Sequence, residues 1–135
     1  MIETEQENLA RKLTVLCDGL YYISETDSPV LVFHGGAAGA VSREELLRVT
    51  GTPADAPVEE VGFKQLFEKL TAHRDWHGDA ERQRSERFRQ IGEILESSLT
   101  DLKVFRVGRI RIDIYVVGMD QAGNLTGVMT KAVET

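Results

Sequence analysis

His73-Arg74-Asp75-Trp76-His77 puts two histidines and a carboxylate within five positions. Imidazole and carboxylate are ligand types that suit zinc, so this stretch is a candidate metal site. Together with Glu25 it outlines a cleft that a metal-dependent hydrolase or a ligand-binding domain could use. Against that reading, Arg74 brings a positive charge into the would-be coordination shell and no fourth ligand is evident. A plain loop between helices would carry the same residues. Trp76 is the only tryptophan, and it sits among His, Arg, Asp and Gly rather than on an apolar stripe. It reads either as a ring folded back into the core or as an exposed anchor for a partner.

Other reactive residue types fall into quieter patterns. Cys17 stands near the end of an amphipathic stretch with no histidine close in sequence, which reads as buried packing. No serine occupies a G-x-S-x-G elbow. His34-Gly35-Gly36-Ala37-Ala38-Gly39-Ala40 lacks the Lys-Ser/Thr that would make it a phosphate loop, so it reads as a flexible connector. Arg82, Arg84, Arg87 and Arg89 alternate with Glu81, Glu86 and Glu93 at helical pairing distances, the pattern of a salt-bridged helix face. Arg106, Arg109 and Arg111 read as the solvent or ion-pair face of a strand.

The charge balance narrows the function classes further. A formal charge of -6 argues against a general binder of nucleic-acid backbones and suits a basic or metal-bearing partner. One cysteine permits no internal disulfide and fits a reducing compartment. The N-terminal Met1-Ile2-Glu3-Thr4-Glu5 is acidic with no apolar signal region, and no apolar run nears the roughly 18 residues a membrane span needs. The expectation is a soluble cytoplasmic protein of one domain, residues 1–135.

The elements that must position these groups follow from periodicity. Ile110, Ile112, Ile114 and Val116 alternate with Arg109, Arg111, Asp113 and Tyr115, which predicts a strand with one buried face. Upstream, Phe105 and Val107 flank Arg106 in the opposite phase, and Gly108 at the flip predicts a bulge or turn. A turn-forming loop, residues 118–124, leads to a second strand over Leu125–Glu134, so the chain reaches Thr135 on an anchored hairpin. At the other end, Leu9, Leu13 and Leu16 share one face of a helix predicted over Thr4–Cys17, closed by Asp18-Gly19. A first hairpin is predicted from Leu20–Ser24 and Val30–Phe33, with an acidic tip at Glu25-Thr26-Asp27-Ser28-Pro29. Ser42 and Glu45 have capping-box spacing, which starts a short helix that Gly51 ends. Pro53 and Pro57 hold the next segment extended. Two further helices are predicted, from about Phe63 to Ala72 and from about Asp79 to Leu99. Segregated helices and antiparallel hairpins indicate an α+β fold, a sheet covered by helices.

Several short stretches, taken in order, resemble the nuclease A inhibitor family of bacteria. They are Asp18-Gly19-Leu20 through Ser24-Glu25, Thr50-Gly51, Asp55-Ala56-Pro57, Asp75-Trp76, Asp113-Ile114-Tyr115-Val116, Ala122-Gly123-Asn124-Leu125 and the closing Thr130-Lys131-Ala132-Val133-Glu134-Thr135. The chain differs from that pattern at Arg74, in the His34-Gly35-Gly36 loop and in its arginine-rich third helix. The resemblance implies an α-β-α sandwich of pathogenesis-related-protein type. It also implies an inhibitor, with no catalytic residues or cofactor of its own, of a sugar-nonspecific, magnesium-dependent nuclease. On that resemblance the partner-binding residues are Glu25, Asp75, Trp76, Glu134 and Thr135. Glu25 and the carboxylate of Thr135 would engage the nuclease's magnesium in place of phosphate, and Trp76 would add a contact. Magnesium's preference for oxygen ligands makes such mimicry chemically sound.

Overall fold

The computed structural model describes residues 4–72 and 78–135. Its layers are set by the strand β6 (Arg111–Met119). Ile112, Ile114 and Val116 join one apolar cluster, while Tyr115 and Val117 join another. A strand that buries both faces of its pleat must be central and covered twice. β6 accordingly lies in the middle of a five-stranded antiparallel sheet. Its neighbours are β7 (Asn124–Val133) and β5 (Thr100–Val107), and the edges are β3 (Leu31–Ala37) and β4 (Val58–Val61).

The helices α1 (Glu5–Cys17), α3 (Phe63–Leu70) and α4 (Asp79–Ser98) cover one face. Leu9, Leu13 and Cys17 recur every fourth residue along α1, and Phe88, Ile91 and Leu95 line α4, so each helix buries a single stripe. The other face is covered by α2 (Arg43–Thr50), whose Leu46 and Leu47 pack with Phe33, Phe105, Tyr115 and Leu125. The Phe33 and Tyr115 rings meet edge to face with centroids 5.3 Å apart. Fully burying one such aliphatic or aromatic side chain contributes about 1.5–3 kcal/mol. The architecture is α+β, with helices on both faces of the sheet.

The helices form where periodicity predicts them, within a residue or two at their ends. Thr4 caps α1 by accepting from the Glu7 N–H at 3.1 Å, and Gly51 closes α2 with a left-handed backbone. At α2 only half of the expected capping box forms. Ser42 Oγ accepts from the Glu45 N–H at 3.2 Å, but the Glu45 carboxylate turns to the Gly39 N–H (2.6 Å) and Arg48 Nε (2.7 Å). The arginine-rich helix is ion-paired as expected at Arg89, which bonds Glu86 and Glu93, whereas Arg87 donates to the Asp18 carbonyl and ties α4 to the end of α1.

Four expectations are corrected. Val30–Phe33 is not the return strand of a first hairpin. β1 (Tyr21–Ile23) instead pairs with β2 (Asp27–Pro29) in a separate two-stranded ribbon, and β3 pairs with β7. His34-Gly35-Gly36 is not a loop but a continuation of β3 with a register shift. There Gly35 lies so close to Phe33 and the Leu125 carbonyl that a Cβ would come within 3.0 and 3.1 Å of them. The strand predicted from the alternation that begins at Arg109 starts only at Arg111. Gly108, at φ +112 with the Arg111 carbonyl only 2.3 Å from where a Cβ would stand, forces a turn that leaves Ile110 exposed. Tyr115, assigned above to a polar face, is buried because α2 covers that side. β4 lies in the segment expected to be extended after Pro57 but was not predicted as a strand; its Val-Glu-Glu-Val pattern gives no alternation to detect.

Candidate functional site

Glu25 sits in the turn Ser24-Glu25-Thr26 between β1 and β2. The Ser24 N–H donates to the Thr26 carbonyl at 2.9 Å, which closes the turn. Ser24 also reaches outside the ribbon, since its Oγ accepts from the Val133 N–H at 3.0 Å. The Glu25 N–H returns a bond to the Val133 carbonyl at 3.3 Å. Further along the ribbon, Thr130 Oγ1 donates to the Ser28 and Pro29 carbonyls at 3.3 and 3.0 Å. A two-stranded ribbon is marginal alone. These ties fix it against β7 and bring its tip to the end of that strand.

The last two residues complete the site. Thr135 donates its backbone N–H to Glu25 Oε2 at 2.5 Å and its hydroxyl to Glu25 Oε1 at 2.6 Å. The hydroxyl, then the backbone N–H, hold the Glu25 carboxyl below the ordinary glutamate range, against a small opposing effect of burial. Glu25 is thus an ionised, solvent-facing carboxylate with both oxygens oriented. Each oxygen keeps acceptor capacity beyond its Thr135 bond.

Glu134 is held from two sides. Its N–H donates to the Ile110 carbonyl at 2.9 Å, and its side chain pairs with Arg106. Arg106 Nε also lies 3.8 Å from Glu59 Oε1 on β4. Arg106 is two residues on from Val104, so strand alternation puts it on the face covered by α1, α3 and α4. It lies there beyond the apolar cluster, in an open cleft of about 570 Å³ that Gln65 and Lys69 of α3 also line. Burial lowers the affinity of Arg106 for its proton, but Glu134, with help from Tyr22 and Glu59, outweighs that and raises its pKa. Ion pairing was expected for Arg106; a place on the inner face was not.

The structure therefore brings three of the sequence-predicted partner-binding residues together: Glu25, Glu134 and Thr135. Asp75 and Trp76 lie outside the described residues, as do His73, Arg74 and His77 of the candidate metal cleft. Among the described residues no group of three or more His, Cys, Asp or Glu converges as a metal site. Sequence reasoning missed Ser24, Glu59 and Arg106. Arg106 carried one signal, a charge in phase with the apolar Val104, masked by the apolar Phe105 and Val107 on either side. Cys17 is buried, and burial pushes its thiol up to about 11, so it is inert packing. No described helix is long and apolar enough to cross a membrane.

Chemically, the arrangement presents fixed anionic oxygen acceptors at one end of a rigid sheet, suited to a cation, a cluster of N–H donors or a hydrated metal ion. Comparison with known families gives one finding: residues 7–135 match the model described as nuclease A inhibitor-like protein. No curated protein matches the chain.

Proposed function

This chain belongs to the nuclease A inhibitor-like family, and from that premise we propose that it is a protein inhibitor of a sugar-nonspecific, magnesium-dependent DNA/RNA endonuclease. In this reading it acts by occupying the nuclease's active site, not by catalysis, and its direct partner is that protein with its bound magnesium rather than nucleic acid. The observation that carries the reading is the joining of Glu25 to Thr135, which gathers the family's implied metal-seeking groups at one end of the sheet.

The mechanism follows from what each group offers. Magnesium keeps several waters even when bound. The free lone pairs of Glu25 accept hydrogen bonds from metal-bound water, and the Thr135 carboxylate adds a second anion in the place a phosphate takes. Because Thr135 is already hydrogen-bonded to Glu25 and Glu134 to Ile110 and Arg106, little ordering remains to be done on binding. The net charge of -6 steers the domain toward a site built for polyanions. Asp75 and Trp76 also contact the partner in this reading, as the family resemblance implies, and Trp76→Ala is expected to cost about 2 kcal/mol or more of binding. The free, buried Cys17 suits a reducing compartment such as the cytoplasm.

The test is an inhibition titration of nuclease A with the unaltered chain, a version extended beyond Thr135, and Glu25→Gln. Extension and Glu25→Gln are each expected to weaken inhibition by about two to three decades. Equal inhibition by the extended version would remove the Thr135 carboxylate from the mechanism.

A further inference from the structure

Tyr21 pairs with Pro29 and Ile23 with Asp27 across the ribbon, so these four share one face; Tyr22 and Ser28 share the other. Ser28 is buried and Tyr22 half-buried, so their face is the inner one. The outer face therefore carries Tyr21, Ile23 and Pro29, with Asp27 as its only charged member. A solvated face of an antiparallel ribbon is ordinarily polar, yet Tyr21 and Ile23 are 47% and 49% exposed.

On the opposite side of the carboxylates stands Ile110, 57% exposed. Arg111 pairs with Val133, which puts Ile110 beside Glu134, and its carbonyl accepts the Glu134 N–H at 2.9 Å. Crossing this end of the molecule one meets Ile23, Glu25, Thr135 and Ile110 in turn. Single exposed apolar residues are ordinary. Here two of the five large ones among the described residues, Ile23 and Ile110, flank one carboxylate site. Tyr21 lies at the Pro29 end of the ribbon, and Pro29 lines a cleft beside α1 with Val15 and Leu31.

We propose that Ile23, on the outer face of the ribbon at its tip, and Ile110 form an apolar collar around the carboxylates, docking on apolar side chains at the rim of a nuclease's metal site. This rests on the functional reading above and specifies the surface that reading requires. A carboxylate facing a hydrated cation gains little in bulk water and far more once water is excluded. Apolar residues around a polar hot spot supply that exclusion. Continuity with the anionic site and its complementarity to a cationic centre select this occupant.

The experiment is surface-based kinetics of binding to nuclease A with magnesium, alongside thermal melts. It compares the unaltered chain, Ile23→Ser, Ile110→Ser, Glu25→Gln and the remote Val15→Ser. Ile23→Ser and Ile110→Ser are expected to dissociate about tenfold faster with association unchanged, since short-range contacts act on dissociation; Val15→Ser is expected to match the unaltered chain. If a serine variant melts low, Ile23→Thr keeps the branched strand side chain and repeats the comparison. Unaltered dissociation in the Ile23 and Ile110 variants, while Glu25→Gln still weakens binding, overturns the collar alone. Failure of the unaltered chain to bind overturns the functional reading and the collar with it.

Discussion

Glu25 and Thr135, 110 positions apart, are joined by two hydrogen bonds, one from the Thr135 backbone at 2.5 Å and one from its hydroxyl at 2.6 Å. The turn that carries Glu25 is in turn bonded to Val133. The tip of the ribbon and the end of β7 are therefore one unit, and what disturbs either residue is felt at the other.

The first consequence is a pH dependence. The Glu25 carboxyl is depressed by bonds it makes only in the folded chain. Folding therefore favours its ionised form. The resulting stabilisation is present above the unfolded glutamate value and is lost as pH falls through the lower folded one. A carboxyl-detected NMR titration is expected to place the Glu25 midpoint below that of an unstructured glutamate. Thr135→Ala, which removes the hydroxyl, should move it back up. An unmoved midpoint would mean the hydroxyl bond is absent in solution.

Cys17 gives a prediction independent of any partner. Burial pushes its thiol up to about 11, leaving almost no thiolate near neutrality. A thiol reagent at pH 8 is expected to label the native protein only at the rate at which it opens, and to react at once in denaturant. Fast stoichiometric labelling of the native protein would place Cys17 at the surface.

The two-sided core is tested at Leu46, fully buried between α2 and the sheet. Leu46→Ala is expected to destabilise by about 2–5 kcal/mol, seen as a lower urea midpoint at unchanged slope. Ile110→Ser should stay within about 0.5 kcal/mol of the unaltered protein, because its side chain packs little in the free chain. If Leu46→Ala is equally mild, the second face is not a packed core.

Local periodicity made the helices and the β6–β7 hairpin legible, because their evidence lies within a few residues. Pairing at a distance was not legible. Leu31 pairs with Met129, yet a local hairpin is the simpler guess for Val30–Phe33 after a turn. Tyr115 could not be assigned to a buried face without knowing that α2 lies over it, and Ile110 kept the strand's phase although Gly108 had already turned the chain. At the site, Glu25 was readable as an acidic hairpin tip and Thr135 as the end of an anchored strand. Their direct bond was not, since neither side chain names its partner. Arg106 shows the middle case: its ion pairing was readable, but its inner-face position was not, since Phe105 and Val107 beside it carried the apolar phase that was read.

That arginine carries the last prediction. Glu134 and Thr135 lie beyond Val133, the last residue of the β7 ladder, and are held by few groups: Ile110, Arg106 and Glu25. Arg106→Gln removes the cation shared by Glu134 and Glu59. Since the pair is partly solvated, global stability should fall by no more than about 1 kcal/mol. The end of the chain should loosen more than the melt suggests. Fixing one freed backbone residue again on binding costs about 1–2 kcal/mol, so affinity for nuclease A is expected to drop roughly tenfold. Amide exchange at Glu134 and Thr135 should quicken while exchange within β6 stays unchanged. Arg106→Lys keeps the charge but not the forked donors, and should fall between the two. If Arg106→Gln leaves both the terminal amides and the affinity unaltered, Arg106 only fills its cleft and the terminal residues are held by Glu25 and Ile110 alone.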